Sequence, residues 1–348
     1  MEIGVSTFGE IQPDSLIGKG FVGNRRMQEI LQEVRLADEV GLDLFAFGEH
    51  HRPDFILSNP EIIMAAAAAI TKRIRLSSAV TVLSTADPVR IFENFSTVDL
   101  ISKGRTEIMV GKGAFTETFP LFGFAKENAD ELFSEHLDLL LAANNQEIVS
   151  WTGKYRQPVN GGVYPRPYQS KLPVWLAVSS TPASAVMAAD LGLPLAVSMF
   201  GGPPGQFIPL IALYRETFAK KDPGFNGLQI SIGTQFYTAK DSTTAVSEFY
   251  PGYERLMNRL AAENGRPLMN KEKFELFRKE GPLVVGSVQQ VIDKIMLFYE
   301  LFGNTRYTAH IDSAQIPHEG IMKAIELLGT EIAPVIRKET AKHDAIVE

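Results

Sequence analysis

The stretch Asp43-Leu44-Phe45-Ala46-Phe47-Gly48-Glu49-His50-His51-Arg52-Pro53 determines how the rest of the sequence is interpreted. Residues 43–47 form a short, mostly apolar run that predicts a buried strand, and Gly48 ends that run. Pro53 cannot donate a hydrogen bond to a sheet and favours an extended Arg52, so the strand has ended by that point. An acid and two histidines therefore follow a strand directly, which is where functional side chains collect in proteins built from alternating strands and helices.

The two adjacent histidines are not equivalent in this interpretation. Successive strand residues point to opposite faces, so we expect only one of His50 and His51 to face a site at the strand end. The alternative is purely structural, with one imidazole packed and the other in solvent.

Strand-like and helix-like segments alternate about eight times along the 348 residues. Predicted strands cover residues 2–8, 44–47, 74–83, 105–110, 173–178, 195–199, 228–238 and 306–311. Predicted helices cover residues 25–41, 60–71 (capped by Asn59), 88–104, 128–143, 182–191, 206–221, 243–264, 288–302 and 320–337. Short strands that are nearly all apolar are typical of a parallel sheet covered on both faces.

This alternation predicts an α/β fold, a single (β/α)8 TIM barrel over residues 1–348, with insertions in loops at the C-terminal face. A doubly wound open sheet is the alternative. Two stretches interrupt the alternation. Residues 144–171 are rich in Gly and Pro, and residues 265–280 are polar, which makes the second stretch a candidate mobile loop over the open face.

Composition excludes several classes of function. The formal net charge of −7 argues against nucleic acid as the main partner. Cysteine is absent, which excludes disulfides, thiolate chemistry and cysteine-ligated metals, and which fits a reducing cytoplasm. No apolar stretch is long enough to span a membrane, and the first residues carry no secretory signal pattern. We therefore expect a cytoplasmic protein.

Two further strand ends carry groups that suit a phosphate or a flat ring. Gly111-Lys112-Gly113 follows a predicted strand, and glycines let a ligand approach the backbone closely. Ser179, Ser180, Thr181 and Ser184 surround the start of a predicted helix, where free N–H groups and the helix dipole favour an anion. The alternatives are an ordinary tight turn and ordinary helix capping.

A metal centre is not predicted. His310 and Asp312 stand at another strand end, but the sequence contains no His-x-His pair of the kind that chelates a metal on a barrel. A metal-dependent hydrolase remains an alternative that metal analysis would test.

Together these stretches resemble the bacterial luciferase-like family of flavin-dependent monooxygenases. Glu49-His50-His51 is similar to the Glu-His-His that follows the second strand of that family. The strongest likeness runs from Ser78-Ala79-Val80-Thr81-Val82-Leu83-Ser84-Thr85-Ala86-Asp87-Pro88-Val89-Arg90 through Val98-Asp99-Leu100-Ile101-Ser102-Lys103-Gly104-Arg105 to Gly111-Lys112-Gly113. Ala188-Ala189-Asp190-Leu191-Gly192-Leu193-Pro194 is a further match, and the likeness is dense over residues 41–123 and 173–198.

The resemblance implies that FMN binds at the carboxyl ends of the strands, with His50 as the catalytic histidine. It also implies a non-proline cis peptide at Ser78–Ala79, and a phosphate held by Ser180, Thr181 and Ser184 with Lys112 as its countercharge. The complete set of cofactor-binding residues expected on this basis is Glu49, Ser78, Ala79, Val80, Gly111, Lys112, Gly113, Ser179, Ser180, Thr181 and Ser184. Luciferase has cysteine where Gly111 stands and glutamate where Ser180 stands, so light emission and an aldehyde substrate stay open.

The function expected from this resemblance is an FMN-dependent monooxygenase that uses reduced flavin and O2 to oxygenate a small organic substrate. The reduced flavin would come from a separate NAD(P)H-dependent flavin reductase, since no second dinucleotide motif is present. Two alternatives are a deazaflavin (F420)-dependent reductase on the same barrel and a non-catalytic flavin-binding protein. The family pairs through its second helix, and the run Met64-Ala65-Ala66-Ala67-Ala68-Ala69-Ile70 therefore predicts a homodimer.

Overall fold

A computed structural model describes residues 1–11, 19–113, 115–263 and 265–347. Eight strands make up its central sheet: β1 (Glu2–Thr7), β2 (Leu44–Phe47), β3 (Arg75–Ser78), β4 (Thr106–Gly111), β5 (Val174–Val178), β6 (Leu195–Ser198), β7 (Ile230–Ala239) and β8 (Arg306–His310). Each is parallel to its neighbours. The sheet closes because β8 pairs with β1, with Ser6 opposite His310, and β7 pairs with both β6 and β8. The predicted (β/α)8 barrel is therefore confirmed, and the open sheet is excluded.

Helices surround the barrel. They are α1 (Lys19–Glu39), α2 (Pro60–Ile70), α3 (Pro88–Ser102), α4 (Ala129–Asn145), α5 (Pro182–Leu191), α6 (Ile208–Lys221), α7 (Ser242–Glu263), α8 (Lys271–Lys279), α9 (Val288–Phe302), α10 (His318–Leu327) and α11 (Ala333–Val347). Shorter helical turns occupy Leu83–Thr85, Thr118–Leu121, Lys126–Asn128, Pro204–Phe207 and Leu328–Ile332. No helix in the described ranges is long and apolar enough to cross a membrane.

The lower end of the barrel is plugged by a buried polar contact. Arg306, the first residue of β8, stacks over the Trp175 ring at 4.1 Å and donates to Glu107 at 2.5 Å. A charge this deeply buried is tolerated when it is paired and hydrogen-bonded. These side chains fill the lower interior, so a ligand site is expected at the opposite end, where the strands end in loops.

Some local predictions were wrong. Residues 265–280 are not simply a loop, because they contain α8, in which Phe274 is fully buried and the Asn270 side chain accepts a hydrogen bond from the N–H of Lys273 at 2.9 Å. Buried aromatic contacts outweigh the polar composition of that stretch. Asn59 precedes α2 as expected, but its side chain makes no capping bond and instead donates to Ser58 at 3.2 Å.

Other elements were missed or divided differently. Within residues 144–171, Ile148–Trp151 and Val159–Gly162 form an antiparallel hairpin. Val284–Ser287 adds a short strand beside β7, and Thr81–Val82 adds one beside β4. The closing helix is two helices joined by a π-helical turn at Leu328–Ile332. Segments of two to four residues carry too little periodicity to be recognised in a sequence.

Candidate functional site

His50 lies at the upper end of the barrel, immediately after β2. Its ring stacks on Phe55, with centroids 4.3 Å apart, and meets the edges of Phe8 at 4.8 Å and Phe115 at 5.3 Å. Its backbone N–H donates to Leu57 at 2.8 Å, which fixes the chain beyond the strand. The imidazole is therefore held in an aromatic wall at the mouth of the barrel.

The electrostatics of this wall keep His50 uncharged at neutral pH. The pKa of His50 is lowered to about 4, chiefly by burial and next by the neighbouring His310, against the opposing effect of Asp312. The ring makes no hydrogen bond to any residue that the structure describes. A neutral imidazole with open nitrogens can accept or donate one hydrogen bond to a ligand.

Glu49 and His51 turn away from this wall and contact each other. His51 Nε2 lies 3.1 Å from Glu49 Oε1, and its ring meets the edge of Phe122 at 4.9 Å. The second carboxylate oxygen of Glu49 accepts the N–H of Val82 at 2.8 Å. Glu49 thus holds the segment that follows β3, and the two histidines face different surroundings, as the alternation of a strand requires.

The end of β3 carries a non-proline cis peptide between Ala79 and Val80. Before it, the Ser78 hydroxyl donates to the carbonyl of Met109 at 2.9 Å, and the N–H of Met109 lies 3.1 Å from the same hydroxyl. These bonds tie β3 to β4 and occupy the Ser78 side chain. Ala79 and Val80, which follow at this strand end, are only partly buried.

The glycines that end β4 make room for other parts of the protein. A Cβ on Gly111 would lie 2.9 Å from the Val80 side chain, and one on Gly113 would lie 3.0 Å from Val82. Gly113 also has a φ of +80°, a conformation that other residues rarely adopt. The need for glycine here therefore comes first from the close packing of β4 against the segment after β3.

Lys112 stands between those glycines with its charge near the surface. Its ammonium group lies 2.6 Å from Asp130, and that carboxylate is 84% exposed. An ion pair this exposed contributes about 0–1 kcal/mol, so exchanging Asp130 for another anion costs little.

The hydroxyl cluster after β5 has the features of an anion site. Thr181 precedes α5 without a side-chain capping bond, and Pro182 occupies the first helical position. The hydroxyls of Ser179, Ser180, Thr181 and Ser184 make no hydrogen bond to any described residue. Ser184 is only 7% exposed, so its free hydroxyl faces a confined space. Because β4 and β5 are adjacent and parallel, Lys112 and this cluster lie on the same part of the rim.

Above the contact of Arg306 with Trp175, the interior of the barrel is apolar. Met109, Trp175 and Ala196 form a buried cluster, with Val80 and Ala177 packed against it. Val80 follows β3 and Ala177 lies near the end of β5, and both are only partly buried, so they present an apolar surface suited to a flat, weakly polar ring.

Comparison with known proteins identifies the family. The family profile described as luciferase-like monooxygenase matches residues 1–305. The chain belongs to this family.

Relatives and solved structures agree with that assignment. The chain is 25% identical to the uncharacterized protein y4vJ of Sinorhizobium fredii, over 90% of this chain and 93% of that one. It is 27% identical to the alkanal monooxygenase alpha chain of Photobacterium leiognathi, over 58% of each. Among solved structures, monooxygenase RslO1 from Streptomyces bottropensis superposes with a TM-score of 0.86 at 23% identity, over 96% of this chain and 99% of that one.

Two other solved structures of this fold are of proteins known with their cofactors. The oxygenating constituent of 3,6-diketocamphane monooxygenase from Pseudomonas putida, in complex with FMN, has a TM-score of 0.77 at 19% identity over 97% and 98% of the two chains. The coenzyme F420-dependent tetrahydromethanopterin reductase of Methanopyrus kandleri has a TM-score of 0.71 at 19% identity over 96% and 99%. At these identities the likeness shows the shared fold.

The resemblance to the luciferase-like monooxygenases predicted the cis peptide one residue too early. The bond expected at Ser78–Ala79 lies at Ala79–Val80. The reason is that the N–H of Ala79 still donates to Phe47 at 2.6 Å, so the regular pairing of β3 extends one residue further than expected.

Several residues of this luciferase-like monooxygenase that line the mouth were not predicted as site residues. Phe8 lies against both His50 and His310, and the Phe200 ring is 6.1 Å from that of Phe8. His310 had been noted only as a possible metal ligand. In the described ranges, no cluster of three or more His, Asp or Glu side chains could hold a metal ion. The sequence offered one signal for Phe8 and Phe200, namely that each lies just beyond a strand. Many other residues lie in such positions, so the signal does not single these two out.

His310 is part of a buried dyad. Its Nε2 lies 3.3 Å from Asp312, and its Nδ1 lies 3.3 Å from the Ser6 hydroxyl. Asp312 also accepts the hydroxyl of Thr7 at 2.5 Å and the N–H of Gly9 at 2.9 Å. Burial lowers the pKa of His310, which favours the neutral imidazole beside the carboxylate. The negative charge of Asp312 is met by the hydrogen bonds that it accepts and by the Arg26 guanidinium, which lies 3.6 Å away.

Proposed function

We propose that this protein is an FMN-dependent monooxygenase that uses reduced flavin and O2 to insert one oxygen atom into a small organic substrate. The observation that carries the proposal is the set of unpartnered hydroxyls at the start of α5, next to an apolar surface inside the barrel mouth. A phosphate group and a flat ring, joined in one molecule, match those two features. The family and the FMN complex of a related fold support the choice.

Each end of FMN has residues that suit it. Ser180, Thr181 and Ser184 would hold the phosphate, with the α5 dipole and Lys112 supplying positive potential. The ring would lie on the apolar surface of Val80 and Ala177, above the buried cluster of Met109 and Trp175. When bound, the reduced flavin supplies the electrons that activate O2, and the protein supplies binding, orientation and exclusion of water.

His50 has the proton-handling role in this proposal. Because its imidazole is uncharged at neutral pH and has no protein hydrogen-bond partner, it can take a proton from the substrate or donate a hydrogen bond to it. The surrounding rings of Phe8, Phe55 and Phe115 exclude water from that position. Exclusion of water favours transfer of oxygen to the substrate over its release as hydrogen peroxide.

Two other functions use the same geometry. An F420-dependent reductase would also place a phosphate at α5, and the reductase of Methanopyrus kandleri shares the fold. A non-catalytic protein that only stores flavin is the other alternative. A titration with FMN and with F420, followed by oxygen consumption with reduced FMN and a substrate panel, separates the three. We further propose that a separate NAD(P)H-dependent flavin reductase supplies the reduced cofactor.

The phosphate site gives the direct test. Ser184→Ala removes one charge-assisted hydrogen bond, worth about 1.5–3 kcal/mol, and should weaken FMN binding by about ten- to a hundredfold. Riboflavin has the same ring without the phosphate, so its affinity should stay within about twofold of wild type, since no hydrogen bond to it is lost. The double variant Ser184→Ala with Lys112→Ala should bind FMN more weakly still.

A matched control comes from another serine. Ser247 lies in α7 on the surface, where its hydroxyl donates to Thr244 at 2.9 Å. Ser247→Ala should leave both affinities unchanged. Equal losses for FMN and riboflavin in Ser184→Ala would refute the phosphate assignment, and absence of FMN binding to wild type would refute the proposed function.

A further inference from the structure

Gln235 is a buried amide on the inner wall of the barrel mouth. It lies in β7 directly opposite His310 in β8. The neighbouring Thr234 points outward, because its hydroxyl lies 2.7 Å from that of Tyr307 in the layer between barrel and helices. Successive strand residues alternate, so Gln235 points inward, on the same side of the sheet as His310.

This amide has no hydrogen-bond partner among the described residues. Gln235 is 9% exposed, and its side chain makes no hydrogen bond to any residue that the structure describes. Buried side-chain amides are normally hydrogen-bonded, since an unsatisfied one costs about 1–3 kcal/mol. An inward-facing amide without a partner is therefore a group available to a bound molecule, and it can both donate and accept.

The wall around it is aromatic. Phe8 contacts His310, with ring centroids 3.9 Å apart, and Phe200 lies 5.6 Å from the same imidazole. On the β2 side, Phe55 and Phe115 pack against His50. Aromatic side chains from several loops make a surface that favours stacking with a ring over contact with a linear chain.

Charges near this wall are already neutralised. Arg52 lies 4.6 Å above the Phe115 ring, but its guanidinium pairs with Asp54 at 3.2 Å, with Glu263 at 2.9 Å and with Glu117. Asp312 is satisfied by the Thr7 hydroxyl, by backbone N–H groups and by Arg26, which lies 3.6 Å away. An ionised ligand would lose hydration here without gaining an unpaired countercharge from these residues.

Barrel order separates this wall from the proposed phosphate site. The hydroxyl cluster follows β5, whereas Phe8 follows β1, which lies opposite β5 in a closed eight-stranded barrel. A flavin anchored at β5 and lying on the apolar surface would leave the wall of β1, β7 and β8 for the second reactant.

We propose that Gln235, together with His50, selects an uncharged ring compound that carries a carbonyl or a phenolic hydroxyl group. The proposal rests on the proposed function, because it names the substrate class of the same site. The Gln235 amide hydrogen-bonds the oxygen of the ligand, and the phenylalanines hold its ring. Gln235 is thus a specificity-determining residue that contacts the substrate.

Binding measurements with a matched ligand series test this assignment. The probes are methyl naphthyl ketone, ethylnaphthalene, naphthoate and undecanone, titrated by calorimetry into the protein loaded with FMN. Methyl naphthyl ketone should bind at least tenfold more tightly than ethylnaphthalene, naphthoate or undecanone. Gln235→Leu should weaken the binding of methyl naphthyl ketone by about tenfold and that of ethylnaphthalene by less than twofold. Only the first compound loses a hydrogen bond. Gln289→Leu, on the exposed face of α9, is the matched control and should change neither affinity.

Three outcomes would overturn the proposal. The first is that naphthoate binds as tightly as methyl naphthyl ketone, and the second is that undecanone does so. The third is that Gln235→Leu weakens the binding of methyl naphthyl ketone and of ethylnaphthalene by the same factor. FMN binding is followed in the same samples by flavin absorbance. If FMN does not bind, the proposed function fails, and the ligand series on the protein alone still decides the substrate class by the same criteria.

Discussion

Replacing His50 by Gln should make the protein less sensitive to acid. In the folded protein the imidazole lies between Phe8, Phe55 and Phe115, and burial lowers its pKa to about 4. In the unfolded chain its pKa returns to about 6.5, the ordinary value for histidine. Between those two pH values the unfolded chain binds a proton that the folded protein does not. The neutral ring therefore makes its full contribution to the free energy of unfolding above pH 6.5, and that contribution is lost progressively as the pH falls toward 4.

The size of the effect follows from the two pKa values. Protonation of His50 in the unfolded chain lowers the free energy of unfolding of the wild type by a few tenths of a kcal/mol at most at pH 7. At pH 5 it lowers that free energy by about 2 kcal/mol. Other groups near His50 also titrate or carry charge, namely His310, Asp312, Asp54 and Arg52. To first order, the effects of these groups cancel when wild type and variant are compared at the same pH. The free energy of unfolding of His50→Gln should therefore gain about 2 kcal/mol relative to wild type between pH 7 and pH 5.

Urea denaturation at pH 7 and pH 5, followed by circular dichroism, measures this difference. His50→Phe is the matched control, since it keeps an aromatic ring against Phe55 and cannot titrate. Both variants should show the same relative gain, although their stabilities at pH 7 will differ. A difference from wild type that does not change with pH in either variant would show that the histidine is not held neutral, and the proposed proton-handling role would lose its physical basis.

Two further predictions concern chemistry and assembly. His50→Ala should bind FMN within a few-fold of wild type but release hydrogen peroxide in place of product, because acid–base assistance worth about 10²–10⁴ in rate is lost. His51→Ala should stay coupled and mainly lose stability, and the opposite pattern in product formed per oxygen consumed would show that the wrong histidine was assigned. The homodimer is expected to pair through the outer face of α2, where Ile62 is 69% exposed above Ala66 and Ala69. Ile62→Glu should therefore convert a wild-type dimer to a monomer in sedimentation experiments, and a monomeric wild type at micromolar concentration would contradict the assignment.

Local pattern was sufficient for the barrel, and it marked the strand ends where the candidate site residues are predicted. The bounds of α5 and α9 were predicted residue for residue, because proline or serine begins each helix and glycine follows it. Strand β2 was equally clear, since four apolar residues stand before Gly48. The hydroxyl cluster and Lys112 were predicted as an anion site because chemistry that suits an anion is concentrated at two strand ends, and that assignment stays a prediction.

The parts that failed depend on contacts between distant residues. α8 is stabilised by the burial of Phe274 against Phe249 and Tyr253 of α7, which its own polar sequence does not reveal. Gly111 and Gly113 were interpreted as space for a ligand, yet Val80 and Val82 fill that space. The cis peptide was misplaced by one residue because the pairing of β3 with β2 sets where the strand ends.

The sequence by itself determined that strands and helices alternate, that the strands are buried on both faces, and that an acid and two histidines follow β2. These are properties of neighbouring residues, and their physical causes are local. Only the tertiary structure decided that Phe8, Gln235 and His310 meet at the mouth beside His50. Those three residues are brought together by closure of the barrel, in which β1 and β7 both pair with β8. Such pairing joins residues up to about 300 positions apart, and no local pattern records it.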